Sequence, residues 1–193
     1  MLDAVYSLRL RYSVVDRIMR RYNASRRAAG ADPSKDGLAE LIASIGDAGG
    51  DDGFSSSIGT HNKSAPATKK VPVTLKTTTA RQAAIALQEC GIETAADLRA
   101  AVRDRDQSAD VKRAWLSVRG LGLVSWDYLL MLVGEDGTKP DTMVCRFVGE
   151  AVGVTVGPDR ARLAVQGAAA ALSVEVGALD RAVWRFQSGR TPD

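Results

Sequence analysis

Asp141 stands directly after Pro140 and opens the apolar-periodic run TMVCRFVGEAV, so it occupies the position of a helix N-cap. Upstream, VRGLGLVSWDYLLMLV sets Gly120-Leu121-Gly122 between two helical patterns. A helix–Gly-x-Gly–helix hairpin presents closely spaced backbone N–H groups, because helix starts leave donors unpaired and carry partial positive charge. Such a turn suits a phosphate. The carboxylate that follows it is the candidate for chemistry on whatever the turn holds.

The rest of the chain must position these two features. With 193 residues, 45% hydrophobic and 25% charged, it can bury a sizeable core and reads as one domain, 1–193, of two lobes. No apolar run is long enough to span a bilayer, and MLDAVYSLRLRY lacks the pattern of a secretory signal. Cys90 and Cys145 make neither a disulfide framework nor a four-thiolate cluster. The expectation is a cytoplasmic monomer without membrane attachment. Net charge is +3, but residues 1–27 carry Arg9, Arg11, Arg17, Arg20, Arg21, Arg26 and Arg27 against only Asp3 and Asp16. That local excess either holds a phosphate backbone or is a solvated helix face.

The periodicity predicts an all-α fold. Val5, Leu8, Tyr12, Val15 and Met19 predict one amphipathic helix over 2–22, and 36–45 reads as a second. Residues 47–75, rich in Gly, Ser, Asp, Lys and Pro, read as a long loop with one short strand at 71–75. Helices follow from about Thr77 to a C′ glycine at Gly91, from a Thr94 cap through Ala101, and from a Ser108 cap through Ser117. Others cover 123–133, the stretch after Asp141, 158–172 and 174–186. The expected central lobe is about 76–140; residues 1–46 and 141–193 form the second.

Two segments, Val118-Arg119-Gly120-Leu121-Gly122 and Pro140-Asp141-Thr142-Met143-Val144, resemble in order and spacing the hairpin and aspartate segments of the helix-hairpin-helix DNA glycosylase superfamily, which includes endonuclease III. SLRLRYSVVDRIMRRY is similar to the first core helix of that family, and Lys76–Gly91 and LDRAVWRFQS are more weakly similar. The resemblance implies a two-lobed helical fold bound to double-stranded DNA, with the target base extruded from the stack. It implies that Asp141 is the catalytic carboxylate, stabilising positive charge on the sugar as the C1′–N bond breaks and orienting or deprotonating a water. Without that role, Asp141 is a plain N-cap.

The resemblance also implies a DNA-binding set of Arg119, Gly120, Leu121, Gly122 and Val124, with Arg9, Arg11, Lys63 and Lys76 added from the basic stretches. Arg9 aligns with the polar residue that fills the gap left by an extruded base, or it meets phosphate only. Tyr128, Tyr12 and Val124 are implied to line a base pocket, although Tyr128 also suits the core. The only ion implied is monovalent, K+ or Na+, on the main-chain carbonyls of Leu116, Val118 and Leu121. No other cofactor is expected, because the four-cysteine loop of the iron–sulfur members is absent.

Three departures shape the reading. Val124 occupies the position of the Schiff-base lysine of the bifunctional members, so lyase chemistry is not expected. Met143 replaces a histidine, and Trp126 stands where a small residue is usual. A DNA-binding protein that kept the hairpin without the chemistry is the alternative. Repair of damaged bases and phage defence, by removal of modified bases from viral DNA, are equally compatible with these residues.

Overall fold

The computed structural model describes residues 1–189. It is mainly helical, with eleven α-helices among the described residues and 65% of those residues helical. The chain divides into two compact units, Met1–Gly122 and Leu123–Asp193.

The first unit is built on α5 (Lys76–Gln88). Thr79, Ala80, Ala83 and Ala84 on this helix are completely buried. Such small side chains allow neighbouring helices close to its backbone. Against it pack α1 (Leu2–Tyr6), α3 (Leu38–Asp47), α4 (Asp51–Ser57) and α7 (Gln107–Ser117). The helix α6 (Ala95–Arg103) packs on α7, and Thr94 caps it through a reciprocal pair of bonds with Asp97. The cap expected at Ser108 is displaced. Asp104 accepts the N–H groups of Asp106 and Gln107 instead, so α7 starts earlier.

The single N-terminal helix expected over 2–22 is two helices, α1 and α2 (Tyr12–Ala28). The break lies at Ser7–Arg11, where Arg9 adopts φ 61°, in the left-handed region that non-glycine residues rarely enter. Lys76 accounts for the break. Its ammonium is buried and donates to the main-chain oxygens of Val5 and Tyr6 at the end of α1 and of Leu8 within the break. These bonds replace those that a continuing helix would supply, and the chain turns away with Arg9 pointing to solvent. Lys76 is therefore not the DNA contact expected of it. A basic residue in the sequence does not disclose that its charge is taken up by carbonyls distant along the chain.

Residues 47–75 are also more ordered than a loop. Phe54 and Ile58, one helical turn apart, bury themselves at 3% and 2% exposure and turn the Ser-rich segment into α4. Asp51, in its first turn, pairs with Arg81 at 2.8 Å and accepts from Thr78 at 2.7 Å. Beyond it, β1 (Lys63–Ala65) and β2 (Thr74–Leu75) form an antiparallel ribbon with Lys63 opposite Leu75 and Ala65 opposite Thr74.

The second unit contains α8 (Leu123–Leu132), α9 (Thr142–Val152), α10 (Pro158–Leu172) and α11 (Val176–Gln187). Val144 and Val148 of α9 pack with Ala161 and Val165 of α10 and Val183 of α11 into one apolar cluster. Asp127 pairs with Arg162 and ties α8 to α10. Trp126 is 5% exposed, a core residue as its helical position predicts. No single helix among the described residues is long and apolar enough to cross a membrane.

Replacing Lys76 with Met leaves three main-chain acceptors without their donor. The expected loss is roughly 2–4 kcal/mol of stability, read as a lower denaturation midpoint, because unsatisfied buried polar groups are expensive. An unchanged midpoint contradicts the role of this ammonium in ending α1.

Candidate functional site: a capping aspartate and a glycine turn

Asp141 is the N-cap of α9. One carboxylate oxygen, Oδ1, accepts from the backbone N–H groups of Met143 at 2.8 Å and Val144 at 3.2 Å. No donor among the described residues bonds the other oxygen, Oδ2, and the side chain is half-buried. The cap thus fixes the carboxylate plane through one oxygen and leaves the second available. The helix start places partial positive charge beside this carboxylate. Cys145, one turn further on, reports the same charge. Burial and then the neighbouring Asp141 carboxylate push its thiol above the ordinary value.

The turn that delivers Asp141 is fastened to α11 by two other aspartates that the sequence reading did not single out. Asp136 accepts from the N–H groups of Val176 at 3.2 Å and Gly177 at 2.7 Å and so caps α11 from outside. Asp180 of α11 points back. Its Oδ1 accepts from the Thr138 hydroxyl and from the Lys139 N–H at 2.9 Å. Thr138 and Pro140 are buried beside these bonds. Polar side chains with ordinary helix spacing give no sign in the sequence that they hold a turn some forty positions away. Lys139 lays its ammonium 3.7 Å from the centroid of the Tyr128 ring, a cation–π contact.

In the first unit, the Leu121 N–H donates to the Val118 oxygen at 3.1 Å and closes the glycine turn, with Gly120 at φ +95°. A side chain at Gly120 would be strained by that φ and would meet Ser64 Cβ at 2.8 Å. Arg119 turns its guanidinium to the ribbon. It donates to the carbonyls of Pro66 and Pro72 and to the Thr74 hydroxyl. Its side chain is thus committed within the protein rather than free for the DNA contact expected at Arg119.

Of the N-terminal arginines, Arg26 forms a two-bond pair with Asp36, Arg20 pairs with Asp16, and Arg21 donates to the Ile58 oxygen. Arg9, Arg11, Arg17 and Arg27 are exposed and form no ion pair among the described residues. Tyr12 is 46% exposed, while Val124 and Tyr128 are half-buried on α8. Lys63 is exposed on β1. Of the three carbonyls expected at a monovalent cation, that of Val118 already accepts the turn-closing bond. Among the described residues, no cluster of three or more His, Cys, Asp or Glu could hold a metal ion.

These features describe a helical protein with a tight glycine turn in one unit and a helix-capping aspartate in the other. The chain belongs to the family described as Domain of unknown function (DUF8548), whose model matches residues 1–188. No curated protein and no solved structure gives a significant match.

Asp180 is 5% exposed, and burial, above all, pushes its carboxyl up from the ordinary 3.8. The native state therefore keeps this proton at pH values where the unfolded chain has released it, so the Asp180 contribution to stability declines as pH rises past the ordinary carboxylate range. Asp180→Asn retains an acceptor for Thr138 and Lys139 and removes the charge. The variant is expected to melt at or above the native temperature at neutral pH, its advantage growing from about pH 4 upward. A variant that melts well below the native protein at neutral pH contradicts this account.

Proposed function

We propose that this protein is a monofunctional DNA glycosylase of the helix-hairpin-helix type, two-lobed and without an iron–sulfur cluster, hydrolysing the N-glycosidic bond of a damaged or modified base in double-stranded DNA. The observation that carries the reading is Asp141: a carboxylate with one oxygen locked by two backbone N–H groups and the other unbonded, on a segment similar to the aspartate segment of that superfamily. Supporting it are the tight turn at Gly120 and the exposed cations Arg9, Arg11, Arg17 and Arg27.

In this mechanism the base is extruded from the duplex and the C1′–N bond breaks with its electron pair leaving on the base. Positive charge develops on the sugar. The free oxygen of Asp141 stabilises that charge and orients a water toward C1′. The water oxygen remains on the sugar. One of its protons neutralises the departing base and the other completes the new hydroxyl. Gly120 and Gly122, flanking Leu121, hold phosphate through main-chain N–H groups, Arg9 and Arg11 meet the opened strand, and Tyr12, Val124 and Tyr128 are assigned to the extruded base. A monovalent cation on the Leu116, Val118 and Leu121 carbonyls belongs to the same reading.

The non-catalytic alternative also has an observation in its favour, because both bonds to Asp141 are those of a plain cap. Asn caps a helix as well as Asp does, so Asp141→Asn keeps the helix start and removes only the charge. On a panel of duplexes carrying altered bases, the native protein is expected to leave alkali-labile abasic sites. Asp141→Asn is expected to lose about 10²–10⁴-fold in rate with duplex binding retained. Equal strand breakage by both proteins rules out the assigned chemistry, and binding without breakage on every duplex favours the alternative.

Val124 has no amine, and the Lys139 side chain is laid against the Tyr128 ring. Borohydride is therefore expected to trap no covalent protein–DNA adduct. An adduct that disappears in Lys139→Gln would overturn the monofunctional assignment.

A further inference from the structure

The ribbon beside the glycine turn carries a basic tip that the proposed mechanism does not use. From His61 to Gln88 the sequence contains no acidic residue, while Lys63, Lys69, Lys70, Lys76 and Arg81 supply positive charge. Lys76 and Arg81 are taken up within the fold. Lys63, Lys69 and Lys70 are exposed, and none of them forms an ion pair or side-chain hydrogen bond among the described residues. The tip itself is closed, because Thr68 N–H donates to the Val71 oxygen at 2.7 Å and Val71 N–H donates to the Thr68 hydroxyl at 3.0 Å. Lys69 and Lys70 sit at the apex of that turn.

The ribbon is fixed to the glycine turn at several points. The Arg119 guanidinium holds Pro66 on one side of the tip and both Pro72 and Thr74 on the other, so one planar group binds the two arms together. The Arg119 oxygen in turn accepts from the Thr79 hydroxyl at 3.2 Å, and that hydroxyl also bonds Ser64 of β1. Gly120 lies against Ser64 so closely that a Cβ would not fit. The residue that precedes the glycine turn is thus the clamp of the ribbon.

We infer that the Thr68–Val71 tip is a second DNA-contacting element, placing Lys69 and Lys70 on the phosphate backbone of a duplex held at Gly120–Gly122, with Lys63 as a flanking contact. The inference rests on the glycosylase reading and extends its DNA footprint. A duplex backbone fits better than unpaired bases, because residues 55–114 contain no Phe, Tyr or Trp on which a base could stack. Contacts from lysine to phosphate are independent of sequence and release counterions, so they are read as salt dependence.

The test is fluorescence anisotropy of a labelled, unmodified duplex with the full chain across a salt series. The double variant Lys69→Gln, Lys70→Gln is expected to melt like the native protein and to flatten the slope of log affinity against log salt by about two, roughly one per lysine. Arg119→Gln keeps both lysines and frees the ribbon, so it is expected to weaken binding while the slope falls by less. An unchanged slope in the double variant, with the native chain binding the duplex, overturns the role of the tip and leaves the glycosylase reading standing. A native chain that binds no duplex overturns both. Tip-dependent binding of polyglutamate without binding of the duplex also overturns both and marks the ribbon as a protein contact.

Discussion

The proposed chemistry depends on how a single carboxylate is divided between structure and solvent. A helix N-cap normally satisfies orphan N–H groups and nothing more. At Asp141 both of those bonds converge on one oxygen, so the cap orients the group and leaves its other oxygen uncommitted. Local sequence produces this result. Pro140 cannot continue a helix from before the aspartate, and the apolar periodicity of Thr142–Val152 buries Val144 and Val148, fixing α9 and therefore the direction of its start.

A cap alone would leave the approaching chain free to swing. The turn before Asp141 is held at both ends by α11, with Asp136 accepting from the start of that helix and Asp180 accepting from Thr138 and Lys139. Because Asp180 is buried, its charge carries a desolvation penalty, and two hydrogen bonds offset that penalty only in part. The first unit uses polar groups in a comparable way. Lys76 holds the end of α1 beside the Arg9 turn, and Arg119 grips the ribbon. In both units, buried or half-buried charges act on main-chain geometry and thereby decide where the exposed side chains stand.

The helices were legible wherever apolar periodicity or a cap marked them. The Thr94 cap, the Asp141 cap and the range 158–172 all follow from neighbouring residues, and their structure agrees. What escaped the sequence depends on partners far along the chain. Nothing near Lys76 indicates that it will terminate α1, and nothing near Arg119 indicates a ribbon. The helix α4 was hidden by its Gly and Ser content, although the Phe54–Ile58 spacing was a usable signal. Asp141 and the glycine turn could be found because helix boundaries are written locally. Asp136 and Asp180 could not, since the tie between the turn and α11 is a tertiary contact.

The most direct measurement of the central claim is the fate of the oxygen atom in water enriched with heavy oxygen, using duplexes that carry a range of altered bases. The account predicts that mass spectrometry finds a free base released from at least one duplex and the heavy oxygen on the sugar carbon that carried it, over repeated turnovers. Intact nucleosides from every duplex, under conditions where the protein is bound to them, would contradict it.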